Sequence, residues 1–385
     1  MMRMLTAHTH EIDDIEAAVS EILAQLDLDN KALANSAGII TCYPDYLETG
    51  VVKALCDRLP FELVGCTTLG NATGDSMGMM MLSLTVLTSD ELTFATVASG
   101  SLFDEQKSPI AEAYKAGLDA LGRPPALLIP FLPLINHVGG ELLLETLSDM
   151  AGDVPIFGTV ACDQNLDYHQ SHVIRNGEYF RDAMSLLLVA GNISPRFTLV
   201  SIPDAKVQKH HAIITESEGH LLRKVNDMPL LDYMQTLDLA EGGSIEGASA
   251  IPFVVDFGDG SRPAARAIYM VTEDHVAVCG GSMPVGATLA IGSIDFDDVL
   301  ETTDDLLSEI RTGSQSQGAL AFSCVSRNLV LGADLEAELD RYRTTLSSHI
   351  PYHVAYSGGE VCPVYTSAGK LVNRFHNFTA VACLF

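Results

Sequence analysis

Near the carboxyl end a strand-like stretch, HVAYSGGE (353–360), closes on two glycines and a carboxylate, with no basic residue beside Glu360. The chain carries 22 lysines and arginines against 50 aspartates and glutamates, so each cation is informative. Arg327 follows Cys324 by three residues in FSCVSR, at the end of what reads as a neighbouring buried strand. The planar fork of a guanidinium suits a carboxylate. Arg327 and Glu360 at adjacent strand ends would offer opposite charges to a zwitterion, or pair with each other as buried charges usually do. Cys324 also reads two ways: Arg327 nearby would depress its pKa and make it reactive, or the thiol is a small hydrophobe in a core. Gly358 and Gly359 either let a ligand approach the main chain or permit a turn or bulge.

Other chemistry is thinly represented. The sequence has no GxxxxGK[ST], no GxGxxG after a strand and no HExxH, which removes support from nucleotide hydrolysis and from zinc-hydrolase mechanisms. His169 and His172 in HQSH lack a third metal ligand, and a solvated loop accounts for them. In HIPYH, Pro351 denies the helix that would align two histidines, and His210 and His211 point to opposite faces of a strand. The eight cysteines form no CxxC pair and read as reduced thiols. Cys66, Cys162 or Cys324 would serve a cysteine-dependent enzyme only with a general base at hand, and none stands at a telling spacing.

A formal charge of -28 repels phosphate backbones and anionic membranes, so neither nucleic acid nor membrane is expected as a partner. With 47% hydrophobic residues over 385, the chain can bury a large core spread over two or three domains. The opening MMRMLTAHTHEIDD lacks the apolar segment of a signal peptide, and no apolar run is long enough to cross a membrane as a helix, so a cytoplasmic location is expected.

The elements that must position these residues recur. Residues 11–26 have helical spacing, AGIITCY (37–43) reads as a buried strand, YLETGVVKALCDRL as a second helix and FELVGCTTLG as a second strand. MGMMMLSLTVLTS and LTFATVAS then suggest an antiparallel hairpin around Asp90. The same order returns from 104, through ALLIPFLP, HVGGELLLETLSDM and VPIFGTVACDQN, with a turn at Asn176-Gly177. A third copy begins near Asp297 and includes GALAFSCVSR, LEAELDRYRTTLSS, YHVAYSGGE and NFTAVACLF. This predicts an α+β fold of repeated α-β-α-β-β units, forming layered mixed sheets covered by helices. Two domains are expected, 1–205 and 206–385, with GGSIEGAS (242–249) as a flexible loop in the second. The ends GCTTLG, GTVACD and SGGE occupy equivalent places, which puts Thr67 and Asp163 beside Gly65 and Gly158 as candidate pocket residues.

Taken in order, FSCVSRNLVLG, YHVAYSGGEVCP and FHNFTAVACLF resemble the FIST C domain, while VGCTTLG, PIFGTVACDQN and HVIRNGEYFRDAMSLLLVAG are similar to the FIST N domain. The stretch IITESEGHLLRKVNDMPLLDYM looks like their junction. Tyr352 and Tyr356 remain from the family's aromatic pattern, and SGGE replaces its commoner tyrosine-glycine-glutamate order. The resemblance implies a prokaryotic sensory protein that binds small ligands such as amino acids and signals in trans to a histidine kinase, cyclase or chemoreceptor. On that basis Arg327 would hold a ligand anion and Glu360 and Asn377 its other end, with Tyr356, Gly358, Gly359, Cys324, Thr67 and Asp163 around them. One subgroup of the family binds haem as a nitric-oxide sensor; its axial ligand here would be His376, His353, His172 or His169.

Overall fold

The computed structural model describes residues 2–135, 137–164, 169–240, 250–312 and 316–385. The loop expected at 242–249 lies outside the described residues. The architecture is α+β and is built from three copies of one unit. The first runs β1 (Met2–Thr9), the helix Ile15–Leu26, β2 (Asn35–Cys42), the helix Val51–Arg58, β3 (Leu63–Thr67), the hairpin of β4 (Asn71–Thr73) and β5 (Ser76–Gly78), and β6 (Leu82–Ser89). The second runs β7 (Thr93–Ala98), the helix Lys107–Leu121, β8 (Leu127–Leu132), the helix Gly140–Ala151, β9 (Gly158–Val160), the hairpin of β10 (Val173–Arg175) and β11 (Glu178–Phe180), and β12 (Ser185–Ala190).

The third copy opens with β13 (Arg196–Val200) and is interrupted by an inserted β module. That module holds β14 (Ala212–Glu218), β15 (Leu221–Val225), β16 (Met228–Pro229), the helix Leu230–Thr236, β17 (Phe253–Asp256), β18 (Ala264–Arg266), β19 (Ile268–Val271), β20 (Ala277–Cys279) and β21 (Thr288–Ile291). The copy resumes with the helix Phe296–Thr312, β22 (Ala319–Cys324), the helices Val325–Leu331 and Ala337–Leu346, and β23 (Tyr352–Ser357). The hairpin of β24 (Glu360–Tyr365) and β25 (Leu371–His376) and then β26 (Ala380–Leu384) complete it.

Each copy centres on a six-stranded sheet, in the orders β1-β6-β2-β3-β10-β11, β7-β12-β8-β9-β24-β25 and β13-β26-β22-β23-β4-β5. The pairs β2–β3, β8–β9 and β22–β23 are parallel, as a strand-helix-strand crossover requires. Every hairpin leaves its own copy: β4–β5 pairs with β23, β10–β11 with β3 and β24–β25 with β9, which closes a ring of exchanges. The hairpin expected around Asp90 does not form. Both edges of β6 are already taken by β1 and β2, so β7 crosses to the second sheet and pairs with β12. The Asn176-Gly177 turn forms as expected, with φ of 50° and 85°.

Burial explains the strand sequences. One face of each sheet lies under its helices, through residues such as Ile22 and Leu55 in the first copy and Leu143 and Leu147 in the second. The other faces meet in a shared core that includes Ile39, Val64, Ile129, Phe157, Leu320 and Val381. Strands covered on both faces read as continuous apolar runs, as LLIPFL does. Where the second and third sheets meet, Phe157 stacks on Phe322 at 5.6 Å between ring centroids and Phe131 meets Phe322 edge-on at 6.2 Å. The inserted module has its own core, among it Ile214, Leu222, Met234, Phe253 and Leu289. Among the described residues no helix is long and apolar enough to cross a membrane.

Candidate functional site

The ends of the central strands converge. Cys162 N donates to Thr67 O at 3.1 Å, Leu69 N to Tyr356 O at 3.3 Å, and Gly358 N to Val160 O at 3.0 Å, so all three copies meet at these tips. Not every glycine there serves a ligand. A Cβ on Gly65 would lie 1.7 Å from Ile40 O, and one on Gly158 would lie 2.1 Å from Pro130 O. These two glycines are register equivalents, opposite Ile40 and Pro130, and Ala355 opposite Phe322 takes their place in the third copy. They allow close approach between strands. Gly359 differs: at φ 153° it sets Gly358 and its own carbonyl against β9.

The expected pairing of Arg327 with Glu360 is not made. Arg327 stands on the helix Val325–Leu331 instead of a strand, fully buried, and Nη2 meets Glu338 Oε1 at 2.9 Å. Its Nε also donates to Glu338, and its other nitrogens donate to Thr302, Thr303 and the carbonyl of Val299. Burial works against its charge and Glu338 more than offsets this, so the guanidinium stays charged inside the protein instead of facing a ligand. The signal for this partner was present: Glu338 shares a buried helical face with Leu339, Tyr342 and Leu346.

Glu360 is also fully buried and accepts from Thr379 Oγ1 at 2.6 Å and Ser357 Oγ at 3.1 Å. Burial raises its pKa well above the carboxylate range, against the opposing pull of these hydroxyls and the more distant Arg327. It lacked a basic neighbour in the sequence because burial holds it protonated, and hydroxyls, not a cation, are its partners. Burial likewise pushes the Cys324 thiol up to about 12, with Glu360 adding to the effect, and raises Cys66 and Cys162 above the usual thiol range. Tyr356, Thr67 and Asp163 are buried as well; Thr67 Oγ1 accepts from His172 N at 2.9 Å and Asp163 from Gln170 N at 2.6 Å, which ties residues 170 and 172, just ahead of β10, to the strand tips.

The open chemistry lies a few ångströms outward. A cavity of about 310 Å³ sits where the strand ends of the second copy meet the inserted module. One wall comes from the loop after β8 (Pro133, Leu134, Ile135, Val138), the helix start Gly139-Gly140, Val160 and the rim residue His169. The opposite wall comes from His220 in the β14–β15 turn, Tyr269 and Met270 on β19, and residues 278–280, with Phe375 of β25 below. The helix Gly140–Ala151 has Gly139 as N-cap and no side-chain cap, so helix geometry leaves the N–H groups of Gly140 and Glu141 without intrahelical acceptors. Such an end favours negative charge. Burial, with His137 second, lowers the His220 pKa and keeps its imidazole neutral at pH 7. Tyr269 Oη donates to Gly358 O at 3.3 Å, which ties the SGGE strand end to the cavity wall.

Sequence reasoning missed the pair that joins the two walls. Arg266 Nη2 meets Glu141 Oε2 at 2.6 Å with both side chains buried, and Ser282 N donates to the same oxygen at 2.7 Å. Arg266 Nη1 also donates to Phe375 O at 2.8 Å. Glu141 at a buried position of an amphipathic helix was the available signal. Asn377, of the expected site, stands behind the wall. It is fully buried, its Oδ1 accepts from Ala267 N at 3.2 Å, and its Nδ2 has no hydrogen-bond partner among the described residues.

The haem histidines separate clearly. His353 is enclosed between Thr41 Oγ1 at 2.7 Å and Thr85 Oγ1 at 2.8 Å, and His376 Nε2 lies 3.3 Å from Cys362 O. Burial pushes both down to about 3. Neither lines the cavity described above, and both ring nitrogens of His353 are already hydrogen-bonded. His172 packs edge-on against Tyr179 at 5.1 Å, and only His169 of the four borders the cavity.

With this geometry in place, comparison with known proteins gives the class first. Residues 36–228 match the FIST N domain and residues 231–363 the FIST C domain, and FIST domains are sensory domains of signal transduction that bind small ligands. The chain belongs to the FIST family. No curated protein matches it. Among solved structures, a crystal structure of a cyanuric acid hydrolase from A. caulinodans is 11% identical, covering 50% of this chain and 72% of that one at a TM-score of 0.27, a likeness that carries no argument.

Proposed function

We propose that this protein is a cytoplasmic sensor that binds an amino acid or a similar small carboxylate in the junction cavity and signals in trans to a kinase, cyclase or chemoreceptor. The observation that carries the reading is the cavity itself, of a size suited to a small molecule. It crosses the division we propose between 1–205 and 206–385, so a ligand there touches both parts. A ligand that binds one relative placement of the two walls better than another shifts their equilibrium, which is the requirement for a sensor. Gly358 contributes through its carbonyl and Gly359 through the turn behind it, while Arg327 and Glu360 hold the scaffold. Burial keeps the Cys324 thiol protonated, which favours binding over cysteine-dependent catalysis. The test is thermal unfolding with a panel of amino acids and small carboxylates. A ligand at a hundred times its dissociation constant stabilises by about 2.7 kcal/mol, and Met270→Trp, which fills the cavity mouth, should abolish the shift. A panel without any shift would remove the reading.

A further inference from the structure

The inserted module meets the body through two kinds of contact. Around its stalk the contact is apolar: Ile202, Ile294 and Phe378 of the body pack with Val254, Ala265 and Ala267 of the module. The bridge between Val207 and Gly292 lies in the same region. Arg266, between the two alanines, makes its contacts with the body through charge and hydrogen bonds instead, to Glu141 and to Phe375 O. A second arginine runs in the opposite sense. Arg374 of the body meets Asp259 of the module at 2.5 Å and lies 4.0 Å from the centroid of the Phe257 ring. Four backbone amides also donate across the boundary. Ser282 N reaches Glu141 Oε2 at 2.7 Å and Ala267 N reaches Asn377 Oδ1 at 3.2 Å. Ser367 N reaches Gly260 O at 2.7 Å and Asn377 N reaches Ala265 O at 3.3 Å.

The two kinds of contact part differently. Separating apolar faces exposes them to water, which opposes opening. Separating an ion pair returns both charges to water, so a buried pair fixes register while adding little to the free energy that holds two faces together. The polar contacts are therefore the ones suited to opening and reclosing in register, about an apolar pivot. They also border the cavity. A Cβ on Gly281 would lie 2.7 Å from Arg266 Nε and 2.9 Å from Glu141 Oε2, and the chain neighbours Gly280 and Gly140 both line the cavity.

We infer that the inserted module is a lid over the junction cavity, pivoting on its stalk at 206–208 and 291–293 and held shut by the Arg266–Glu141 clasp. As the entrance for a ligand it rests on the junction-cavity reading above; the motion itself is measured without a ligand. Arg266 and Glu141 are positioning residues, which act through the placement of the two walls.

The experiment is hydrogen exchange on the full chain, read by mass spectrometry. In the parent the bridging amides of Ala267, Ser282, Ser367 and Asn377 are expected to exchange at least tenfold faster than the ladder amides of β17 and β21 in the module and of β8 and β22 in the body. Two variants loosen the clasp by different routes. Glu141→Gln takes the buried carboxylate from Arg266, and Gly281→Ala sets a Cβ against both partners while keeping their charges. Each should speed the bridging amides by a further tenfold or more and leave the ladder amides at the parent rate. A pair that only braces the fold would speed bridging and ladder amides together. That result, or bridging amides that exchange in the parent no faster than those of β17 and β21, would overturn the lid, and the second needs no variant to fold. Either leaves the cavity reading to be decided by its own ligand panel, whose failure would in turn leave the exchange result standing.

Discussion

Glu360 shows how one residue can be legible in type and misread in role. Its isolation from basic neighbours was visible in the sequence, and two partners were open, a ligand or Arg327. The fold supplies a third: hydroxyl donors from Ser357 and Thr379 at a fully buried site. Arg327 found Glu338 because the helix that carries Glu338 packs on the helix Phe296–Thr312 and on β23, and sends Glu338 in to Ser323 of β22, a tertiary fact that no spacing between residues 327 and 338 announces. A consequence can be measured. A carboxyl whose folded pKa is raised is protonated in the folded state and ionised in the unfolded state at neutral pH. Its contribution is therefore fully present below the unfolded pKa and is lost as pH rises toward the folded pKa, by about 1.4 kcal/mol per pH unit. Glu360→Gln does not titrate and keeps the shape. The stability of the variant relative to the parent should rise between about pH 5 and pH 8 in urea melts, the direction fixed by the raised pKa. A variant less stable by the same amount at every pH would mean that Glu360 is ionised in place.

At the scale of elements, the repeat was the readable part and the exchange was not. Helical spacing, apolar runs and the Asn176-Gly177 turn each depend on neighbours in sequence. Which sheet a strand joins depends on edges left open by strands far away, as β7 and the three exchanged hairpins show. The missed strand β1 has the mixed burial of an edge strand, so its sequence lacks the apolar run that marked the others. The glycines of the strand ends divide by role: Gly358 takes a hydrogen bond from Tyr269 of the cavity wall and Gly359 pairs with β9, while Gly65 and Gly158 allow close strand approach. For Gly158→Ala, a Cβ would meet the carbonyl of Pro130, a backbone atom that cannot swing aside. The second sheet must open locally, at a cost of about 1–3 kcal/mol typical of overpacked cores. Differential scanning calorimetry should show a lowered transition. A melting temperature equal to that of the parent would show that β8 and β9 separate freely, as their counterparts have done around Ala355.

At the scale of the whole molecule, the ring of exchanged hairpins makes the three copies one body, with the inserted module as an appendage whose ends lie together. Val207 bridges Gly292, Gln208 N donates to Ile291 O at 2.8 Å, and Ser293 N donates to Lys206 O at 3.1 Å, so the chain leaves the body and returns at the same place. The sheets of the body contain no strand from the module, and the module buries a core of its own. Replacing residues 209–290 by a short glycine-serine linker should therefore leave a body that still melts cooperatively, with the strand content of its three sheets retained in far-ultraviolet circular dichroism. The same excision removes His220, Tyr269, Met270 and Gly280 from the cavity and Arg266 from Glu141. Ligand binding should be lost completely, and Glu141, released from its partner, should face water at the start of its helix, where a carboxylate is tolerated or mildly stabilising. An excised chain that unfolds would instead make the module part of the scaffold, and the coupling between ligand and body would then have to run through the shared core, not through the Arg266–Glu141 contact.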